Sequence, residues 1–160
     1  MLAVINDQNQ SIEVRRRALE AIASVSLPQV KTAIMEAYQS QDSSFKASAI
    51  YAMGKNCDLS WLPTLLKELV NTDVEVRYEA AGACGELEDE EAVPYLIKMA
   101  NDSDIDVQMA AIQALSKIGS AQAKEHLEAC LNNVSETICQ AAEQALNELE
   151  VKQDPLPFRF

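Results

Sequence analysis

The sequence predicts an all-α solenoid in which a pair of helices repeats every thirty-one residues along a chain of 160 residues. Three sets of apolar positions recur in register at this interval. They are Val14, Phe45, Val76, Val107 and Ile138, then Ala18, Ala49, Ala80, Ala111 and Ala142, then Ala21, Ala52, Ala83, Ala114 and Ala145. A period of this size is typical of arrays whose units bury their apolar faces only against neighbouring units.

Each unit contains two amphipathic segments, which we name helix A and helix B. In the third unit, apolar residues spaced three or four apart run from Val76 to Leu87 and again from Val93 to Ala100. Glu88, Asp89 and Glu90 separate the two segments. Apolar spacing near 3.6 residues, interrupted by a polar turn, predicts two antiparallel helices.

Polar residues mark where each helix A begins. Side-chain oxygens that cap helix N-termini recur at the same period, at Ser11, Asp42, Asp73, Asp104 and Ser135. In the second and third units a basic residue follows four positions later, which predicts the pairs Asp42–Lys46 and Asp73–Arg77. Pro63 and Pro94 stand early in their B helices, where a missing backbone N–H has little cost.

Taken together, these features resemble the HEAT repeat, and the short period resembles its phycobilin-lyase type. The segment from Asp73 to Leu87 carries the resemblance best, with an Asp before helix A, a Val-Arg pair within it and an Ala-rich stripe. The resemblance covers roughly residues 11 to 149. It implies a right-handed α-solenoid with the B helices on the concave side and the A helices on the convex side.

The repeat register predicts four regions. Residues 1–10 form a partial N-terminal repeat with a helix B, residues 11–135 form four HEAT-like repeats, residues 136–150 form a capping half-repeat with a helix A, and residues 151–160 form an extended tail. The cap is indicated by Glu143, which stands where earlier units have apolar residues. Those residues are Leu19, Ile50, Ala81 and Ile112. A terminal unit of a solenoid presents a polar face to water.

Composition narrows the classes of partner. The formal net charge of −12 disfavours nucleic acid, whose binding depends on neutralising phosphates. No apolar run of about 18 residues predicts a membrane span, and Met1–Asp7 lacks the features of a signal peptide. We therefore expect a cytoplasmic monomer whose partner is another protein and which binds neither nucleic acid nor membrane.

Enzyme chemistry is not indicated. The chain has one histidine and four cysteines without CxxC spacing, so neither a metal site nor a catalytic residue is predicted, and no cofactor. Cys84 aligns with apolar core positions, and Cys57 aligns with Gly119 in a turn. Trp61, at the start of a helix B, is expected to pack in the core. The resemblance leaves one enzyme-related alternative, a role as a phycobilin lyase or lyase subunit that handles a chromophore.

The sequence predicts a partner-binding cluster on the B helices. Positions thought to lie off the core stripe carry larger or softer residues in the third and fourth units than in the earlier ones. The predicted cluster consists of Tyr95, Met99, His126 and Cys130, with Lys67 and Lys98 at its rim. An aromatic anchor ringed by lysines suits a protein segment with an apolar residue and acidic neighbours. The alternative interpretation is a set of scattered surface residues with partly buried stems.

Overall fold

The structure is a computed structural model that describes residues 1–153, and within this range it contains ten α-helices and no strand. In chain order they are α1 (Leu2–Asn6), α2 (Ile12–Ile22), α3 (Pro28–Tyr38), α4 (Ser43–Asn56), α5 (Leu62–Glu68), α6 (Val74–Leu87), α7 (Val93–Met99), α8 (Ile105–Ile118), α9 (Ala121–Cys130) and α10 (Glu136–Gln153). Short 3-10 turns, Leu59–Trp61 and Glu90–Ala92, precede α5 and α7. The predicted solenoid of helix pairs is confirmed.

The helices form two layers that share one apolar core. The A layer consists of α2, α4, α6, α8 and α10, and the B layer of α1, α3, α5, α7 and α9. Ile34, Leu65, Leu96 and Leu127 recur at the repeat period in the B layer and are fully buried. Burial of such side chains against the A helices is the main source of stability in a fold of this kind.

The predicted helix boundaries have a simple chemical basis. Ser11, Asp42, Asp73 and Asp104 each accept a hydrogen bond from a backbone N–H in the first turn of the following A helix. At the opposite ends, α4, α6 and α8 terminate in the left-handed residues Cys57, Glu88 and Gly119. Cys57 is exposed there, as its alignment with Gly119 predicted.

Two predicted ion pairs do not form as the spacing suggested. Asp42 and Asp73 accept from backbone N–H groups of their own helices, and Lys46 and Arg77 pair instead with the end of α5 and with the loop before α8. Arg77 forms two hydrogen bonds of 2.9 Å to Asp102, and Lys46 lies 2.9 Å from Glu68. These pairs tie each A helix to a neighbouring inter-unit loop or B helix.

The C-terminal helix is longer than predicted. α10 continues to Gln153 rather than ending at residue 150, because no helix-breaking residue occurs before Pro155. The Lys152 ammonium donates to the Lys117 carbonyl at 3.3 Å, which holds this end against α8. Residues 154–160 of the predicted tail lie outside the described residues. Glu143 is exposed, whereas Leu19, Ile50, Ala81 and Ile112 are all fully buried.

None of the helices in residues 1–153 is long and apolar enough to cross a membrane.

Candidate functional site

Adjacent A helices approach each other unusually closely. A methyl group placed on Gly54 would lie 2.7 Å from the Cα of Ala83, and one on Gly85 would lie 2.7 Å from the Cα of Ala114. At the next equivalent position the Ser116 hydroxyl donates to the Ala145 carbonyl at 2.9 Å. We name this series of contacts the A-layer seam. Its Gly and Ala residues set a shorter distance between helices than the Leu-rich B layer allows.

A further set of polar contacts between units lies on the face of the A layer that is turned away from the B helices. Arg16 on α2 reaches Glu75 on α6 at 3.1 Å, although α4 lies between these two helices. Lys55 on α4 and Lys117 on α8 donate to the same oxygen of Glu86 on α6, at 2.9 and 2.6 Å. The contact between Arg16 and Glu75 joins side chains that are two units apart on this face.

These short contacts in the A layer indicate a bend toward the A face, whereas the resemblance predicts that the B helices are concave. The expectation came from the resemblance and not from the packing of these residues. Gly and Ala at the seam let neighbouring A helices approach closely, because no long side chain separates their backbones there. On this interpretation, α2, α4, α6 and α8 line the inner side of the array.

A groove crosses three A helices on this inner side. Its lining includes Tyr51 from α4, Tyr78, Glu79 and Gly82 from α6, and Gln113 from α8. Lys55, Glu86 and Lys117 lie one helical turn further along and form its charged end. We name this site the A-helix groove. No atom lies within 4 Å of a methyl group built on Gly82, so the centre of the groove is open.

Glu79 is the chemically unusual residue in the A-helix groove. Its side chain is half-buried, and among residues 1–153 it has no ion-pair partner within 4 Å. Burial raises the pKa of Glu79 to about 7, and repulsion from Glu75 and Glu20 acts in the same direction. Arg16 and Lys55 partly offset this effect. The groove thus contains a carboxyl group whose charge the protein leaves largely uncompensated.

At the charged end of the groove, Lys55, Glu86 and Lys117 pair with one another. Burial disfavours the ionised form of Glu86, but hydrogen bonds from Lys117 and Lys55 outweigh this effect and lower its pKa. The Lys55 ammonium also lies 5.7 Å from the centre of the Tyr51 ring, within the range of a cation–π contact. Tyr78 and Tyr51 are exposed, so both rings are available at the groove surface.

The cluster predicted from the sequence lies on two neighbouring B helices. Tyr95 and Met99 are on α7, His126 and Cys130 are on α9, and these helices contact each other. Tyr95 is exposed, and the Lys98 ammonium lies 5.8 Å from the centre of its ring. Lys67 is exposed on α5. We name these six residues the B-helix patch.

Cys130 belongs to the core rather than to the surface of the B-helix patch. It is 8% exposed, and burial raises its pKa, with a further contribution from Cys139. Met99 and His126 are half-buried, and burial lowers the pKa of His126. Within the described part of the chain, His126 Nε2 has no hydrogen-bond partner. Of the predicted residues, only Tyr95, Lys98 and Lys67 are exposed.

The prediction that the equivalent B-helix positions lie off the core stripe was wrong for one ladder. Ala37, Glu68 and Cys130 are all buried, and Met99 is half-buried. Glu68 tolerates this environment because Tyr38, Lys46 and Asn71 all bond its carboxylate. Burial opposes ionisation of Glu68, but these partners outweigh it and lower its pKa. This network is structural, because its polar atoms are satisfied within the protein.

Sequence reasoning missed the A-helix groove, although a signal for it was present. Gly54 and Gly85 fall at the same position of their units, two residues after the recurring Ala52 and Ala83. Paired small residues on one helix stripe indicate close helix approach, and hence the inner side of a bend.

A comparison with known protein families identifies the family of this chain. A family model described as HEAT repeats matches residues 62–147, which is more than half of the chain. No curated protein sequence matches the chain. The match covers α5 to α9 and most of α10, and therefore includes Tyr78, Glu79 and Gly82 of the A-helix groove.

Solved structures show the same fold at low sequence identity. The complex of CpcE and CpcF of phycocyanin lyase from Nostoc sp. PCC7120 matches with a TM-score of 0.73 and 22% identity over 97% of this chain. This chain spans 65% of that protein, which is less than two thirds of its length. A designed armadillo repeat protein in complex with peptide (KR)4 matches with a TM-score of 0.65 and 19% identity, over 92% of this chain and 80% of that one.

Human deoxyhypusine hydroxylase in complex with glycerol also matches, with a TM-score of 0.56 and 20% identity, over 93% of this chain and 72% of that one. An enzyme, a lyase complex and a designed peptide binder thus share one architecture. At these identities the likeness establishes the fold alone, and the function must be inferred from the surfaces of this chain.

Proposed function

Because this chain belongs to the HEAT repeat family, we propose that it acts as a scaffold that holds a protein partner on an exposed helix face. The observation that carries the proposal is the A-helix groove, where Tyr51 and Tyr78 flank the open space above Gly82. Tyrosine is enriched at the centres of protein interfaces because it offers a large contact area and loses little conformational freedom. A preorganised surface of this kind orders little new chain on binding.

The B-helix patch is the competing surface. Tyr95, Lys98 and Lys67 are exposed there and provide an aromatic anchor with two cations, which suits a partner carrying acidic residues. The A-helix groove has stronger support, because its residues come from three helices and surround an open space. The fold neighbour that is complexed with peptide (KR)4 supports peptide binding by an array of this architecture.

A comparison of the two faces in one assay tests the proposal. The full chain, carrying an affinity tag, would be used to capture a partner from its native host, and the affinity of the purified partner would then be measured. Tyr51→Ala with Tyr78→Ala should weaken binding at least tenfold, about 1.4 kcal/mol. The matched pair Tyr95→Ala with Met99→Ala should leave it within twofold, with circular dichroism unchanged for both variants.

The opposite pattern would assign the partner to the B-helix patch. Failure to recover any partner that binds the purified chain would contradict the scaffold proposal itself.

A second candidate function is a role as a phycobilin lyase subunit. The observation that favours it is the structural match to the complex of CpcE and CpcF of phycocyanin lyase. On this proposal the purified chain should acquire visible absorbance when incubated with a bilin. Cys57, the exposed thiol, would be replaced by serine as a check for covalent attachment. A chain that gains no absorbance with or without Cys57 would exclude this alternative.

A further inference from the structure

The A-helix groove has the chemistry of a site for a positively charged side chain. Three features converge on the open centre above Gly82: the exposed ring of Tyr51, the exposed ring of Tyr78 and the half-buried carboxyl group of Glu79. Aromatic faces attract cations through the negative potential of the ring, and a carboxylate attracts them directly. Both kinds of group therefore favour the same class of ligand.

The ion pairs around the groove leave one carboxyl group available to a cation. Lys55 and Lys117 are already engaged by Glu86, so neither is free to receive an acidic partner. Arg16 is bonded to Ser48 and paired with Glu75. Glu79 is the groove carboxyl group that lacks such a partner among the described residues. When ionised, Glu79 is therefore the groove carboxylate with which an incoming cation can pair.

The groove already holds one cation against an aromatic ring. The Lys55 ammonium lies 5.7 Å from the centre of the Tyr51 ring while it donates to Glu86 at 2.9 Å. This arrangement combines an ammonium, a tyrosine ring and a carboxylate within one protein. On α6, next to α4, Tyr78 and Glu79 offer the same two groups to a cation that comes from outside.

We propose that the A-helix groove binds a basic segment of the partner protein, with a lysine or arginine side chain that passes over Gly82 between the two tyrosines toward Glu79. This inference rests on the proposed scaffold function and specifies the chemistry of the partner. The net charge of −12 favours the approach of such a segment over long range. The groove then selects it at short range through the two rings and the carboxylate.

The experiment uses the full chain and a fluorescein-labelled peptide of alternating lysine and arginine, with fluorescence anisotropy at about 0.15 M salt, where the Debye length is about 8 Å. This salt concentration weakens general attraction to an acidic chain. A peptide of alternating glutamate and aspartate serves as the charge-reversed probe. The basic peptide should bind saturably, and the acidic peptide should not bind.

Gly82→Phe is the decisive variant, because it fills the groove. A side chain at Gly82 meets no atom within 4 Å of its Cβ, so the fold should tolerate it. Binding of the basic peptide should fall at least tenfold, while the melting temperature stays near that of the wild type. Gly82→Ala is the matched control and should bind within twofold of the wild type.

Charge and ring variants assign the individual contacts. Glu79→Gln should weaken binding of the basic peptide at least fivefold. Glu128→Gln, which removes an equal charge on α9, should leave the affinity within twofold of the wild type. Tyr78→Ala should weaken it more than Tyr95→Ala. If Glu128→Gln or Tyr95→Ala weakens binding as much as its groove counterpart, the attraction is diffuse and the inference is wrong.

The outcome separates this inference from the proposed function. A captured partner that binds the purified chain tightly but is unaffected by Gly82→Phe and Glu79→Gln would overturn the basic-segment site and leave the scaffold proposal standing. Saturable peptide binding that Gly82→Phe abolishes would support the site.

Discussion

The A layer and the B layer of this array perform different structural tasks. A helices touch each other through Gly and Ala, with backbone atoms so close that Gly54 and Gly85 have no room for a Cβ. B helices contribute large apolar side chains such as Leu65 and Leu96, which pack mainly against the A helices. The A layer therefore sets the spacing between units, and both layers contribute large, fully buried side chains, such as Ile50 and Ile112 from the A layer and Leu65 and Leu96 from the B layer.

The difference also explains where an interaction surface can form. On the A side, stripes of small residues leave Gly82 open between larger neighbours, and polar contacts join successive units. On the B side, most large residues are used in the core, and Cys130 and Glu68 are buried with them. The A layer, where small residues lie between larger ones, therefore has room for a ligand.

Truncation of the B-layer core should give the largest effect. Leu96 is fully buried on α7, so Leu96→Ala should lower the free energy of unfolding by about 2–5 kcal/mol, through lost burial and a residual cavity. Urea denaturation provides the measurement. The adjacent exposed Tyr95→Ala should cost less than about 0.5 kcal/mol, as surface changes usually do. Similar losses for the two variants would mean that the B layer does not carry the core.

Addition of one methyl group to the A-layer seam should give the next largest effect. The new Cβ in Gly85→Ala would lie 2.7 Å from the Cα of Ala114, so α6 and α8 must move apart, at a cost of about 1–3 kcal/mol. In the same helix, Gly82→Ala meets no such neighbour and should stabilise by about 0.5–1 kcal/mol. Thermal melts of both variants test whether backbone proximity is confined to the seam.

Neutralisation of Glu79 should stabilise the protein in a pH-dependent manner. Its pKa is raised from 4.5 to about 7. The ionised carboxylate therefore destabilises the native state at pH values above about 7, and the protonated group has no such effect at pH values below about 4.5. The contribution of this group to stability is thus lost as the pH rises from about 4.5 through about 7. Glu79→Gln should add about 1–2 kcal/mol at pH 8 after allowance for partial exposure, and nearly nothing at pH 4.

Urea melts at pH 4, 6 and 8 provide that measurement, with Glu128→Gln as an exposed control that should show no such trend. A gain that is independent of pH would mean that the change acts through packing rather than through charge.

The smallest effect on stability is expected at the last A helix. Glu143 is exposed on α10, so Glu143→Leu should change the free energy of unfolding by less than about 0.5 kcal/mol. The variant exposes an apolar position that earlier units bury, and it should therefore promote association between chains. Light scattering over a range of concentrations measures this directly. A variant that stays as monomeric as the wild type would argue against a capping role for Glu143.

The repeat period made most of the fold predictable. Recurrence at thirty-one residues aligned the caps Asp42 and Asp73 with their helices and placed Cys84 in the core. Trp61 was also expected inside, where its Nε1–H donates to Asn56 at 3.2 Å. Such assignments depend only on neighbours within one unit and the next, which a one-dimensional pattern records well.

The candidate site could not be read in the same way. Which side of the array is concave depends on the difference in spacing between two layers, and that difference follows from side-chain volumes summed over several helices. The ion-pair partners of long side chains are equally hard to predict from the sequence. Arg77, for example, pairs with Asp102 in the next loop rather than with Asp73 at the start of its own helix. The A-helix groove arises from both effects at once.

The contact between Arg16 and Glu75 has a mechanical consequence. It joins α2 to α6 across an intervening helix, and it therefore opposes separation of these two helices. Both side chains are partly exposed, so the ion pair contributes at most about 1 kcal/mol and weakens as salt screens it. The elastic stiffness of the array against straightening should therefore fall with ionic strength, even where its resistance to unfolding hardly changes.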